Sequence, residues 1–132
     1  MKARLVLAAL GLFVAAGLVS GTAFADDDLV EKGEKIFKKC KACHTIEKDG
    51  KSKATGPNLW GVFGRTSGTL EDFKYSDAMK GAAIVWDETK VDAYLADPKG
   101  YVPKNKMAFA GLKKPEDRQA VIAYIKHEIE ED

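Results

Sequence analysis

Apolar residues recur along this chain at helical spacing in three separate stretches. Over residues 28–41 they stand at positions i, i+1, i+4, i+7, i+8 and i+11, which form one stripe of an amphipathic helix. Similar stripes over residues 88–96 and from about Pro115 onward predict two further helices. A shorter helix is expected over residues 76–82. The pattern therefore predicts three main helices and a short one.

Residues that favour helix ends support these boundaries. Ser76 and Asp87 are N-cap residue types, because their side-chain oxygens can accept the free backbone N–H groups of a first helical turn. Pro115 suits the first turn of the last helix, and Pro98 is expected to stop the third. Gly33 lies inside the first stripe, where glycine costs about 1 kcal/mol relative to alanine. We therefore expect another backbone to approach Gly33 closely.

The connections between the helices are long and rich in glycine. Residues 45–75 contain five glycines and a proline, which is typical of a loop. The same stretch contains apolar side chains that argue against disorder: Leu59, Trp60, Val62 and Phe63. A loop of this length and composition is expected to wrap around something. The chain has no alternation long enough for a sheet, no repeat and no second domain, so the fold class is all-α.

The first 25 residues have the pattern of an export signal. A positively charged start precedes 15 uncharged, mostly apolar residues, and the small residues "AFA" fit a signal-peptidase site. We predict cleavage after Ala25, delivery to the periplasm, and a mature domain over residues 26–132. The alternative is a retained leader that anchors the protein, because residues 5–25 carry no charge and about 20 apolar residues can span a bilayer.

Charge is distributed unevenly along the predicted mature domain. Residues 35–127 contain 18 basic and 11 acidic residues, whereas acids dominate residues 26–34 and 128–132. A basic middle section suits an acidic partner surface, although solubility and helix-end preferences could produce the same distribution. No basic run is interleaved with aromatic residues in the manner of a nucleic-acid-binding surface. We therefore expect no nucleic-acid partner.

Both cysteines of the chain lie in "KKCKACHTIEKDG", residues 38–50. A structural zinc site needs about four nitrogen or sulfur ligands, and beyond this motif only His127 remains as a good donor. A redox-active pair would follow a strand, whereas here a helix precedes it. Cys-x-x-Cys-His is the attachment signature of c-type haem, in which Cys40 and Cys43 bond the porphyrin and His44 reaches the iron. We predict one covalent haem c, which would supply apolar core to a small domain.

The second axial ligand of the iron has three candidates in the sequence. His127 lies near the end of the last helix among charged residues and is expected to be solvated. Met79, on the short helix, could be core packing. Met107 stands in a loop between lysines, where its only other evident purpose is to fill a gap in the core. His/Met ligation is typical of electron-carrying cytochromes and leaves no iron position for a substrate, which favours electron transfer over catalysis.

Further motifs follow the haem signature in a specific order. They are "GEKIFKKCKACHTIEK", "TGPNLWGVFGRTSG", "YSDAMK", "WDETKVDAYLADPKGYVPKNKMAFAGL" and "VIAYIK". With these motifs the chain resembles the class I cytochromes c, and most of all the cytochromes c2 of purple bacteria and their mitochondrial relatives. The resemblance covers essentially all of residues 28–127. It implies the cytochrome c fold, with long loops wrapped around a covalent haem.

The resemblance also implies roles for individual residues. Cys40 and Cys43 would form thioethers, and His44 and Met107 would be the axial iron ligands. The carbonyl of Pro57 would accept the other ring N–H of His44 and fix the ring's orientation. Other residues would lie near the haem propionates or the Met107 sulfur: Arg65, Tyr75 and Trp86 at the propionates, and Tyr94 at the sulfur.

The resemblance further implies that Gly33 and Phe37 pack against Val121 and Tyr124 where the first and last helices cross.

The chain departs from the family pattern at two places. Met79 stands where the family usually has asparagine within a hydrogen-bond network near the haem. Lys104 and Asn105 stand where the family commonly has glycine and threonine. We expect Asn105 to be able to donate a hydrogen bond to a propionate, and Lys104 to add a charge near the exposed haem edge.

The implied function is that of a soluble, monomeric electron carrier rather than an enzyme. It would pass single electrons from a cytochrome bc complex to a photosynthetic reaction centre or a terminal oxidase, without stable membrane insertion after cleavage. Lysines that ring the haem edge would form the docking face: Lys38, Lys39, Lys41, Lys99, Lys104, Lys106, Lys113 and Lys114. Two alternatives remain, a membrane-tethered cytochrome c and a haem sensor or peroxidase-like protein with a labile sixth ligand.

Overall fold

Helices and long connections make up the whole of the described chain. The computed structural model describes Gly17 and residues 23–131, with side chains from Asp26 onward. In chain order the helices are α1 (Ala23–Lys41), α2 (Asp77–Gly81), α3 (Glu88–Ala96), α4 (Pro98–Tyr101) and α5 (Pro115–Glu130). The described residues contain no strands, only two isolated β-bridges. The predicted all-α class and three main helices are confirmed.

The start of the first helix differs from the prediction. The first helix begins at Ala23 rather than at residue 28, because the acidic residues that precede the apolar stripe favour the positive end of a helix dipole. It therefore runs through the predicted cleavage position after Ala25, and most of the predicted leader lies outside the described residues.

The described residues form two short helices, α2 and α4, rather than one. Pro98 was expected only to stop α3, but it also begins α4. Asp97 caps this second short helix by accepting a hydrogen bond from the Gly100 N–H at 3.0 Å, and a proline suits the first helical position.

The predicted caps of the other helices are confirmed. The Ser76 hydroxyl accepts from the Met79 N–H at 3.0 Å and begins α2. The Asp87 carboxylate accepts from the Lys90 N–H at 2.8 Å and begins α3. Each cap satisfies a backbone donor that has no partner inside the helix.

The crossing of α1 and α5 is the main packing contact of the fold. Phe37 and Val121 are essentially fully buried there, and the rings of Phe37 and Tyr124 lie 5.1 Å apart between centroids. Gly33 is the point of closest approach, because a Cβ added to it would lie 2.0 Å from the Ala120 carbonyl oxygen and 2.7 Å from Tyr124 Cβ. The expected packing of Gly33 and Phe37 at this crossing is confirmed.

Hydrogen bonds from buried polar side chains, rather than pairing between strands, order the long loops. The Asn58 side chain is buried; its amide donates to the carbonyls of Glu47 at 2.8 Å and Gly50 at 2.9 Å. Ser67 is buried as well and accepts from the Ile84 N–H at 3.0 Å. Because each amide or hydroxyl joins segments far apart in sequence, the loop after α1 has a fixed path.

Between residues 23 and 131, no helix is both long enough and apolar enough to cross a bilayer.

We predict that Gly33→Ala destabilises the protein by about 2 kcal/mol or more, because the backbone contact at the helix crossing leaves no space for a methyl group. The free energy of unfolding by chemical denaturant measures the effect. Gly81→Ala is the matched control, since a Cβ at Gly81 meets nothing within 4 Å and alanine favours the helix. Equal stability of the two variants would contradict the account of this crossing.

Candidate functional site

One mostly apolar cavity gathers every site residue that the sequence predicted. Its walls come from the end of α1, the long loop before α2, α3, the loop before α5, and α5 itself. The predicted residues on its lining are Cys40, Cys43, His44, Pro57, Arg65, Tyr75, Trp86, Tyr94, Asn105 and Met107. Residues from all parts of the described chain therefore converge on one site.

The cysteine motif lies where α1 ends. Cys40 occupies the last turn of the helix, and its carbonyl accepts from the N–H groups of Cys43 at 3.0 Å and His44 at 2.8 Å. This turn brings both sulfurs and the imidazole to the same cavity wall. Burial raises the pKa of the Cys40 thiol to about 11, and the neighbouring Cys43 adds to the shift. The Cys40 thiol is therefore neutral at ordinary pH in the folded chain.

The imidazole of His44 is fixed in orientation by the backbone, and its surroundings favour the neutral form. Its Nδ1–H donates to the Pro57 carbonyl at 2.8 Å, which leaves Nε2 as the nitrogen with a free lone pair. Burial lowers the pKa of His44, and the Pro57 hydrogen bond only partly opposes the shift. Gly56 is required beside the ring, because a Cβ there would lie 2.8 Å from His44 Nδ1. A neutral, oriented imidazole of this kind suits a metal.

Met107 is held by one hydrogen bond to its sulfur and one from its backbone. The Tyr94 hydroxyl donates to Met107 Sδ at 3.8 Å. The Met107 backbone N–H donates to Asn105 Oδ1 at 2.8 Å. Burial raises the pKa of Tyr94 to about 12, so its hydroxyl stays protonated and remains a donor.

The polar part of the lining contains a cation without a counter-ion. The Arg65 guanidinium donates to the carbonyls of Asn58 at 3.0 Å and Trp60 at 3.4 Å. Among the described residues, no carboxylate lies within 4 Å of Arg65. Burial lowers the pKa of Arg65 and raises that of Tyr75. A half-buried arginine in such a wall favours a bound group that carries a negative charge of its own.

The other two candidates for a sixth ligand lie in different surroundings. His127 is exposed on α5 and does not line the cavity. Met79 lines the cavity from α2 and packs against the hydrophobic core.

One contact at the cavity's edge has no counterpart among the predictions from sequence. The Lys106 ammonium lies 5.5 Å from the centre of the Phe73 ring and also bonds the Lys74 carbonyl, so it joins two loops. A tertiary contact between residues more than thirty positions apart leaves no periodic signal.

Comparison with known proteins decides the family. A family model described as cytochrome c matches residues 30–128. The chain belongs to the cytochrome c family. It is 58% identical to cytochrome c of Chlamydomonas reinhardtii over 96 residues, which cover 72% of this chain and 85% of that protein.

Bacterial cytochromes c2 are similar to the chain as well. The identity to cytochrome c2 of Afifella marina is 49% over 102 residues, which cover 75% of this chain and 82% of that protein. The identity to cytochrome c2 iso-2 of Magnetospirillum fulvum is 56% over 90 residues, covering 68% and 92% respectively. The expected resemblance to both groups of cytochromes is confirmed.

Haem c is the cofactor of this family and of this chain. The cavity fits this group on three counts. Both cysteines line it next to an oriented imidazole, a thioether residue lies on the same lining, and the Arg65 cation on that lining suits a group that carries carboxylates.

The segment before Met107 adopts an unfavourable backbone conformation. Lys104 has φ +66°, in the left-handed region that favours glycine. The family commonly has glycine at this position, whereas the prediction for Lys104 concerns only its charge. Asn105 also differs from expectation, because both of its amide protons already serve the carbonyls of Pro98 at 2.8 Å and Val102 at 2.9 Å.

We predict that Lys104→Gly stabilises the protein by about 0.5–1 kcal/mol. Glycine removes the left-handed strain, which exceeds the extra freedom it gives the unfolded chain. The denaturation midpoint of the haem-loaded protein measures the change. Lys51→Gly is the control, because Lys51 is an exposed lysine outside the left-handed region and should lose stability. A loss of stability in both variants would contradict the strain at Lys104.

Proposed function

We propose that this chain is a soluble one-electron carrier of the cytochrome c2 type and not an enzyme. Cys40 and Cys43 would hold the haem through thioethers, with His44 and Met107 as the axial ligands of its iron. The bound haem supplies reversible one-electron oxidation and reduction. The observation that carries the proposal is the placement of an oriented imidazole and a hydrogen-bonded thioether on the lining of one cavity.

The chain's own residues keep both ligands in place as the charge of the site changes. Pro57 holds the His44 ring in one tautomer, and Tyr94 and Asn105 hold the Met107 segment. With His44 and Met107 as its two ligands, the haem iron would have no open position for a substrate. The site is thereby suited to electron transfer through an exposed edge and poorly suited to chemistry on a bound molecule.

The lysines of the predicted docking face support a carrier that meets acidic partners. All eight are exposed, and none of their ammonium groups lies within 4 Å of a carboxylate of the described residues. Their positive field attracts acidic surfaces and weakens as salt rises. The small contact typical of such encounters allows quick release. We propose a cytochrome bc complex as donor, and a reaction centre or terminal oxidase as acceptor, for a monomer in photosynthetic or respiratory electron transport.

The N-terminal pattern supports a proposal for the location. We propose that residues 1–25 are a cleaved signal peptide and that residues 26–132 function in the periplasm. A retained leader would instead tether the same carrier to a membrane.

A sensor or peroxidase-like protein with a labile sixth ligand is the second candidate function. The strained conformation of Lys104, three residues before Met107, favours it. The two candidate functions differ in one respect. In the carrier, Met107 keeps other ligands from the iron, whereas in the sensor or peroxidase-like protein it does not.

For the carrier, we predict that Met107→Ala lowers the reduction potential, because a thioether ligand favours ferrous iron. The variant should also bind imidazole at least about tenfold more tightly than the wild-type protein, since no ligand has to leave first. Potentiometry and optical titration of the haem-loaded protein measure both.

Met79→Leu is the matched control for this prediction. It removes the other cavity-lining thioether at nearly constant volume and should change imidazole affinity little. Wild-type imidazole affinity in Met107→Ala would contradict Met107 as the ligand and favour the labile-ligand candidate.

A further inference from the structure

A tight turn precedes Met107, and its sequence does not suit its shape. The Asn105 N–H donates to the Val102 carbonyl at 3.2 Å, so Val102, Pro103, Lys104 and Asn105 form a β-turn. Lys104 is the third residue of this turn and has φ +66°, at a position that normally requires glycine or asparagine. Some other interaction must therefore keep the turn closed.

The Asn105 side chain is the group that closes it. The residue is only 5% exposed. Its amide nitrogen donates to the carbonyls of Pro98 at 2.8 Å and Val102 at 2.9 Å, and its oxygen accepts from the Met107 N–H at 2.8 Å. A single side chain thus joins the start of α4, the turn and the backbone of Met107.

Lys99 supports Asn105 from the surface. Its ammonium donates to the Asn105 backbone carbonyl and, at 3.3 Å, to Asn105 Oδ1. A charged donor makes a stronger hydrogen bond than a neutral one. Lys99 therefore stabilises the Asn105 segment, in addition to its predicted place on the docking face.

The far end of the loop is anchored separately. The Leu112 N–H donates to the Leu95 carbonyl at 2.7 Å, beside Gly111, whose φ of +104° permits the close approach. Arg118 adds hydrogen bonds to the carbonyls of Leu112 at 2.9 Å and Lys113 at 3.1 Å. Met107 lies next to the other anchor, only two residues after Asn105.

We propose that Asn105, supported by Lys99, is the positioning residue that sets how often the Met107 thioether leaves its place in the cavity. The inference rests on the proposed role of Met107 as axial ligand. Asn105 itself does not contact the iron in this account. It acts through the Met107 backbone and offsets the strain at Lys104. Asn105 and Lys99 together therefore determine whether Met107 stays in place as the ligand.

Imidazole binding to the ferric, haem-loaded protein tests the proposal, because imidazole can bind only when Met107 has left. We expect Asn105→Ala to bind imidazole about tenfold more tightly than wild type, which corresponds to about 1.4 kcal/mol. Lys99→Ala should bind about threefold more tightly. Lys51→Ala removes the same charge from another exposed lysine and should match wild type.

Hydrogen exchange provides a local readout in the same proteins. The Met107 amide should exchange faster in Asn105→Ala, while amides of the α1–α5 crossing keep their protection. If Asn105→Ala does not mature, Lys99→Ala alone still tests the proposal.

The outcomes separate this proposal from the proposed function. Equal imidazole affinity in wild type and Met107→Ala overturns the ligand assignment, and the role of Asn105 with it. If those two differ while Asn105→Ala and Lys99→Ala stay within twofold of wild type, the positioning role alone is overturned. Uniformly faster exchange throughout the protein would also overturn it, because the effect would then be global.

Discussion

The cavity at the centre of this molecule requires a large apolar partner that the polypeptide does not provide. Helices and loops from all parts of the described chain turn apolar side chains toward it. In a small domain, apolar walls left facing water would remove much of the driving force for folding. Covalent haem, held at the end of α1 as proposed above, would fill this space, and the arrangement of the other elements would depend on it.

The crossing of α1 and α5 determines where the cysteine motif lies. Close contact at Gly33 sets how α1 packs on α5, and the last turn of α1 then presents Cys40 and His44 to the cavity. Much of the remaining lining comes from loops of irregular backbone. Its shape depends on buried amide groups, of which Asn58 beside the histidine and Asn105 beside the methionine are the clearest cases. Each half of the site thus has one buried asparagine that orders its loop.

The sequence predicted the features whose signals are local. Helical stripes and caps such as Asp87 act within a few residues, and the Cys-x-x-Cys-His spacing carries its chemistry in five positions. The sequence does not predict the second short helix if Pro98 only stops α3, but an aspartate followed by proline is also a start signal.

What the sequence could not supply arises from contacts between distant segments. The hydrogen bonds of Asn105 to Pro98 and Met107 depend on the path of the loop, and nothing in the spacing of these residues indicates them. The left-handed conformation of Lys104 is hidden for the same reason, because lysine is a residue type that rarely adopts it. The family resemblance supplied the positions of the axial ligands, whereas the residues alone had left three candidates open.

Intact mass of the protein, produced together with a cytochrome c maturation system, tests the central claim most directly. The account predicts the mass of residues 26–132 plus one haem, with no thiol left to react with an alkylating reagent. A haem-bearing chain that keeps its leader would alter only the proposed location. A colourless polypeptide of unmodified mass, with both Cys40 and Cys43 open to alkylation, would contradict the account.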